Sequence, residues 1–229
     1  MTSPITRILF PKTPGNSLSS QALSSLTNQI NSAPQGVIVL VSEGNTFCAG
    51  ASFDEIKEAS SVEALVPLFL NFHHFLNAIR NSASIIICKV QGKAVGGGVG
   101  VIAACDYVIA SEKAEIKLSE IAIGLAPFVI GKYVEEVLGK AFMTVALSNE
   151  FHDAKWCQTH NLFSEVVIES ELDEKVAQAS RKFSEYSLLS FPTFKKLHTK
   201  TFSEDDALKR ATLSAEGAFK VLKNQINKN

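Results

Sequence analysis

The sequence has no long apolar run, no block of like charge and no cysteine framework. Its most apolar stretch, residues 94–105, is short and holds four glycines before Asp106 ends it, so no segment reads as a membrane span. Lys and Arg total 22 against 23 Asp and Glu, a net charge of −1. That balance leaves no basic footprint for nucleic acid. The opening "MTSPITRILFPKTPG" lacks the basic start and apolar core of a secretory leader. Cys48, Cys88, Cys105 and Cys157 are widely spaced, three of them in apolar surroundings. Their spacing matches neither a metal site nor a redox pair, and small buried hydrophobes in a reducing cytoplasm are expected.

What is present is a 229-residue chain, 46% hydrophobic and 20% charged, long enough to bury a full core. Short runs rich in β-branched residues recur: "GVIVLVS" (36–42), "SIIICKV" (84–90), "DYVIAS" (106–111) and "SEVVIES" (164–170). Each reads as a buried strand bounded by polar or turn residues. Helical patterns cover 18–30, 62–79, 99–105, 129–138 and 153–160. This alternation predicts an α/β fold with largely parallel strands. After residue 170 the strand signal stops, and 171–188 and 204–226 pattern as amphipathic helices with a break at Pro192. The chain is thus read as a core, 1–170, followed by a helical region, 171–229.

The stretch "QGKAVGGGVGVIAACDYVIAS" (91–111) places Gly96, Gly97 and Gly98 ahead of an apolar helix. Amides in the first turn of a helix lack intrahelical partners and sit at the positive end of its dipole. Such a place can hold an anion, or an oxygen that becomes one during reaction. Taken alone the triplet is a weak signal, because glycine-rich turns also bind phosphate or merely turn. The spacing fits neither a dinucleotide fingerprint nor a P-loop.

Two further blocks accompany it. "GNTFCAGASFDEI" (44–56) follows the first predicted core strand, with small residues that let a ligand approach the backbone. "KAEIKLSEIAIGLAPF" (113–128) sets one acid, Glu120, among apolar neighbours. In order and spacing the three blocks resemble the crotonase family, the enoyl-CoA hydratases and isomerases. The resemblance covers nearly the whole chain, with most of the family's first strand missing. It implies a spiral ββα core and a C-terminal helical oligomerisation region that forms a homotrimer or hexamer. It also implies an acyl-CoA substrate, with coenzyme A arriving on the substrate and no separate cofactor or metal. The N–H groups of Ala49 and Gly97 would form the oxyanion hole and Glu120 would move protons. Cys48, Gly50, Ala51, Gly96, Gly98 and Phe128 would contact the substrate.

Family members that hydrate double bonds carry a second glutamate two positions after the glycine triplet; here that position is Gly100. Hydration divides its work between two carboxylates, and a positioned acid or base contributes ~10²–10⁴ in rate. Shifting a double bond from Δ3 to Δ2 needs one base and an oxyanion hole. "IAIGLAPFVIGKYVEEVLG" (121–139) resembles the corresponding segment of Δ3,Δ2-enoyl-CoA isomerases, with Phe128 walling out water. Isomerisation is therefore the expected activity. The alternatives are a hydratase, decarboxylase or thioester hydrolase using a substitute acid such as Glu135 or Glu136, and a non-catalytic acyl-CoA-binding protein. Ser52 replaces the aspartate of the family's block and is expected to loosen that loop.

Other residues read more plainly. Cys48 has no nearby His or Asp to activate it and is expected to pack. His73 and His74 are adjacent on a predicted helix, cannot share a metal, and are placed at a surface or interface. Lys195, Lys196, Lys209, Lys220 and Lys223 could meet CoA phosphates or simply be solvated.

Overall fold

Residues 2–186, 188–198 and 203–226 are described by the computed structural model, with side chains as far as Lys223. The four predicted strand runs, joined by an unpredicted edge strand β1, form a five-stranded parallel sheet in the order β1 (Ile5–Leu9), β2 (Val37–Val41), β4 (Ile85–Val90), β6 (Tyr107–Ser111) and β9 (Glu165–Val167). A second sheet joins β3 (Thr46–Cys48), β5 (Lys93–Val95), β7 (Glu115–Lys117) and β8 (His152–Asp153), the last antiparallel. β2, β4 and β6 of the first sheet are each followed by a short strand of the second, β3, β5 and β7, before the chain returns through helix. This is the spiral ββα core, an α/β architecture.

The returns after β3 are α1's neighbours in space. α1 (Ser20–Ser32) precedes β2, while α2 (Phe53–Glu58) and α3 (Val62–Asn81) follow β3 and α4 (Gly97–Ala104) follows β5. Side-chain caps fix where several begin: Ser19 accepts from the Ala22 N–H, Ser61 from Ala64 and Ser52 from Glu55. Ser52 therefore anchors α2, contrary to the loosening expected of it.

The central strands β2 and β4 are buried on both faces, which is why they read as β-branched runs. Ile38, Leu40, Ile86 and Cys88 face the main core with α1, α3 and α4. Val37, Val39, Ile85 and Ile87 face Leu172, Val176 and Ala179 of α8 (Leu172–Ser184). The expected boundary at residue 170 thus falls between elements that share one packed sheet. Between β7 and β9 come α5 (Gly131–Leu138), α6 (Ala141–Ser148) and α7 (Ala154–Thr159).

The last two helices are α9 (Phe191–His198) and α10 (Glu204–Ile226). Pro192 lies in the first turn of α9 and opens that helix, because a first-turn N–H needs no partner. The expected helix over 171–188 ends at Ser184, and residue 187 lies outside the described residues, as do 199–202 and 227–229. α9 is held by Lys195, whose Nζ donates to Asp106 Oδ2 at 2.7 Å and to the Ile79 carbonyl at 3.0 Å. This lysine is buried, so it meets no phosphate. Burial raises the Asp106 pKa in spite of Lys195 and the Ile86 N–H beside it.

α3 is long and apolar enough by composition to cross a membrane, which the run-length reading passed over. Here it packs against α1 and α10, with Leu65, Leu68, Phe72, Phe75 and Leu76 buried. His73 is buried there too, not at a surface. Its Nε2 lies 3.1 Å from Asn77 Nδ2, and burial pulls its pKa down to about 4. His74 faces outward to Glu204.

Candidate active site

The loop after β3 and the N-terminus of α4 meet, because neither has side chains at the contact. Gly50 has φ +87°, and a Cβ on it would lie 2.8 Å from the Gly97 nitrogen. A Cβ on Gly97 would lie 2.5 Å from Phe72 Cζ and 3.0 Å from the Gly50 Cα. Two backbone segments remote in sequence are thereby brought into van der Waals contact.

Hydrogen bonding decides which amides are available. The Ala49 N–H donates to the Gly15 carbonyl at 2.9 Å, so Ala49 is not the free donor expected from the family resemblance. The next amide, Gly50, is directed at Cys48 Sγ, 3.3 Å away. Around Ala51, the Leu18 N–H donates to the Gly50 carbonyl at 2.8 Å and the Ser52 N–H to the Leu18 carbonyl at 2.9 Å. That clamp fixes Ala51 yet uses neither its N–H nor the Gly97 N–H, for which no acceptor occurs among the described residues. Both residues line one cavity of about 250 Å³. Ala51 and Gly97 are therefore the unpaired amide pair.

Glu120 lines the same cavity from the loop after β7. It comes close to Gly96, where a Cβ would stand 3.0 Å from Glu120 Oε1. Gly96 has φ +53° and ψ −116°, a conformation suited to glycine, as N-cap of α4. Glu120 Oε2 is buried without a hydrogen-bond partner. Burial raises the carboxyl's pKa, only partly offset by the backbone N–H groups of Glu120 and Ser119. No other titratable side chain lines the cavity among the described residues. Glu135 and Glu136 are exposed, and Glu136 pairs with Arg80 at 3.1 Å. Neither serves the cavity as a substitute acid. Position 100 offers no room for one: a Cβ there would lie 2.5 Å from Ile130 Cγ2.

Of the remaining expected contacts, Gly96 and Phe128 line the cavity, whereas Cys48, Gly50 and Gly98 stand behind its wall. Gly98 seats α4 on β3, its missing Cβ only 2.1 Å from the Cys48 carbonyl oxygen. The Cys48 thiol is fully buried and its pKa is pushed up to about 12 by desolvation, so it is inert packing. The fourth wall went unrecognised in the sequence. α10 contributes Ser214, Ala218, Val221 and Leu222, and Arg210 Nη1 donates to the Phe128 carbonyl at 3.0 Å. Small residues on an ordinary amphipathic helix carry no local signal of that role. Lys196, Lys209, Lys220 and Lys223 are exposed on α9 and α10, away from this wall.

Residues 3–227 match the family model described as "Enoyl-CoA hydratase/isomerase". The chain is 33% identical over 156 residues to a Rhizobium meliloti (strain 1021) protein named "Probable enoyl-CoA hydratase", covering 67% of this chain and 59% of that one. It is 31% identical over 107 residues to "Ethylmalonyl-CoA decarboxylase" of Xenopus tropicalis, covering 47% of this chain and 35% of that one. The crystal structure of an enoyl-CoA hydratase from Mycobacterium avium shares the fold at a TM-score of 0.82 and 24% identity, covering 99% of this chain and 92% of that one. The chain spans less than two thirds of the length of the first curated relatives, 59% and 58% for two of them. With a match along nearly its whole length and the two glycine-lined loops and buried acid in place, the chain belongs to the enoyl-CoA hydratase/isomerase family, the crotonases.

Proposed function

We propose that this chain acts on an acyl-CoA thioester through an enolate, and that its reaction is Δ3-to-Δ2 enoyl-CoA isomerisation with Glu120 as the only base. The thioester oxygen accepts from the Ala51 and Gly97 N–H groups. Glu120 removes a proton from C2, the negative charge spreads into a dienolate whose oxygen those amides hold, and the same acid returns the proton to C4. Each donor of this kind is worth about 3–4 kcal/mol. The observation that carries the proposal is that Glu120 is the single titratable residue lining the cavity among those described. Its raised pKa suits a group that must both take and give a proton near neutral pH.

The test supplies a 3-enoyl-CoA and follows the conjugated 2-enoyl product, alongside exchange of α-protons of a saturated acyl-CoA into D₂O. Turnover and exchange that both vanish in Glu120→Gln are expected. Turnover unaffected by that change would refute it. A second reading is favoured by the relative named as a decarboxylase: loss of CO₂ from a malonyl-type thioester forms an enolate in the same amide pair without a base. Release of CO₂ that survives Glu120→Gln would select it. Exposed Leu189, Phe194, Leu197 and Leu208 support self-association of the helical region as a trimer or hexamer, which sedimentation would count. Four free cysteines support a reducing compartment.

A further inference from the structure

Ser214 is a polar residue in an apolar wall. It lies on α10, 6% exposed, and lines the cavity together with Ala218 and Leu222 one and two turns further along the same face. Serine in a helix interior ordinarily returns its hydroxyl to a carbonyl one turn back. No such bond, nor any other partner for this hydroxyl, occurs among the described residues. Most of the cavity it lines is hydrocarbon, Phe69, Phe72, Phe128, Val129 and Ile130 among it, with Glu120 and Ser119 as the other polar side chains. A hydroxyl that opens onto a mostly apolar cavity with no protein partner is left for a ligand or a water in that cavity to bond.

Its place along α10 gives the direction. Arg210, one turn earlier, holds the Phe128 carbonyl, and Val221, two turns later, packs over Gly124. Ser214 therefore stands at the Phe128 end of the loop, whereas Glu120 stands at the Gly96 end. The second free hydroxyl in the cavity, Ser119, adjoins Glu120 and belongs to the reacting end.

We infer that Ser214 reads an oxygen function, a hydroxyl or keto group, carried on the acyl tail away from the thioester. The inference rests on the proposed acyl-CoA site and names its substrate class. A hydroxyl can donate one hydrogen bond and accept others, so it serves either group. A cavity built to hydrogen-bond a substrate oxygen rejects the analogue lacking it far more strongly than a hydrocarbon pocket rejects an added oxygen.

The test uses two 3-enoyl-CoAs of equal chain length, one with a plain tail and one with a distal hydroxyl, and their saturated counterparts for calorimetric binding. The native protein should favour the hydroxylated member by about tenfold or more in Kd and kcat/KM. Ser214→Ala should abolish or invert that preference, and Ser214→Thr, which keeps the hydroxyl, should retain it. A preference unchanged by Ser214→Ala, or a native preference for the plain tail, overturns the inference and assigns the hydroxyl to a buried water. A Ser214-dependent binding preference without turnover supports it while refuting isomerisation. Failure of both thioesters to bind overturns both.

Discussion

Replacing single backbone amides by esters separates the two alanines that flank Gly50. An ester at the Gly50–Ala51 linkage removes the Ala51 N–H and changes no side chain. Because that N–H has no protein acceptor, the folding cost comes only from the weakened Gly50 carbonyl, which holds the Leu18 N–H at 2.8 Å. That loss is about 1 kcal/mol. The catalytic cost is that of one oxyanion donor, ~10²–10³ in rate. An ester at Cys48–Ala49 instead removes the N–H bonded to Gly15. It too costs about 1 kcal/mol of stability, but leaves the oxyanion donors in place and the rate within a few-fold. Semisynthetic proteins would be compared by D₂O exchange of acyl-CoA α-protons, read by mass spectrometry, and by thermal unfolding. The expected pattern is similar melting points with rates differing by at least thirtyfold, the Ala51 ester being slower. Equal exchange by the two esters, or a slower Ala49 ester, refutes the assignment of the hole to Ala51 and Gly97.

Glu120→Gln should lower exchange by ~10²–10⁴, and native exchange should rise with pH through a midpoint above the ordinary carboxyl value of 4.5. Folding raises this pKa, so ionisation of Glu120 costs stability once pH passes the unfolded value. Glu120→Gln should therefore melt above the native protein at neutral pH and lose that advantage in acid, as a pH series of melting curves would show. His73 is held neutral, its pKa lowered from 6.5 to about 4, so it contributes stability that is lost as pH falls between those values. A His73→Gln variant should flatten that part of the denaturant-midpoint profile. Lys195→Ala removes the 2.7 Å partner of Asp106, which keeps the Ile86 N–H and is partly exposed; it should cost about 1.5–3 kcal/mol in chemical unfolding, with exchange per folded molecule unchanged. Gly98→Ala would push a methyl to 2.1 Å from the Cys48 carbonyl. It should reduce the soluble folded yield, whereas a neutral outcome would mean that α4 can slide on β3.

The central strands of the first sheet were legible because both their faces are buried: Val37–Val41 holds no polar residue, and Ile85–Val90 only Lys89, whose ammonium reaches out to Asp173. β3, β5 and β7 have three residues each, too few for any period to show. β1 escaped notice for a different reason. As an edge strand it buries Ile8 while Ile5 and Leu9 are about half exposed, so its residues show little of a core pattern. At the site, Gly97 and Glu120 were named through the resemblance of their blocks to the family's, and both line the cavity. The choice between Ala49 and Ala51 was not legible, because it turns on the carbonyl of Gly15, which the chain returns to that loop only after folding. The α10 wall was equally silent: Ser214 and Ala218 acquire meaning only from the cavity they face.

A turn requires one glycine, and the run at 96–98 has three because three separate approaches converge on one helical start. At Gly96 the positive φ reverses the chain, and the missing Cβ leaves the Glu120 carboxylate its place. Gly97 presents the unpaired amide and lets the Gly50 loop close against it. Gly98 faces the other way and lowers α4 onto the Cys48 carbonyl. Gly100, one turn on from Gly97, is bare because Ile130 already fills that space. Backbone is thus exposed wherever an oxygen must be reached and bare wherever another chain must fit. The only acid in this cavity among the described residues comes from a different strand's loop, not from α4. The single-base chemistry proposed for this chain follows from that division: α4 supplies dipole and donor, and every direction in which it could have supplied a carboxylate is already occupied.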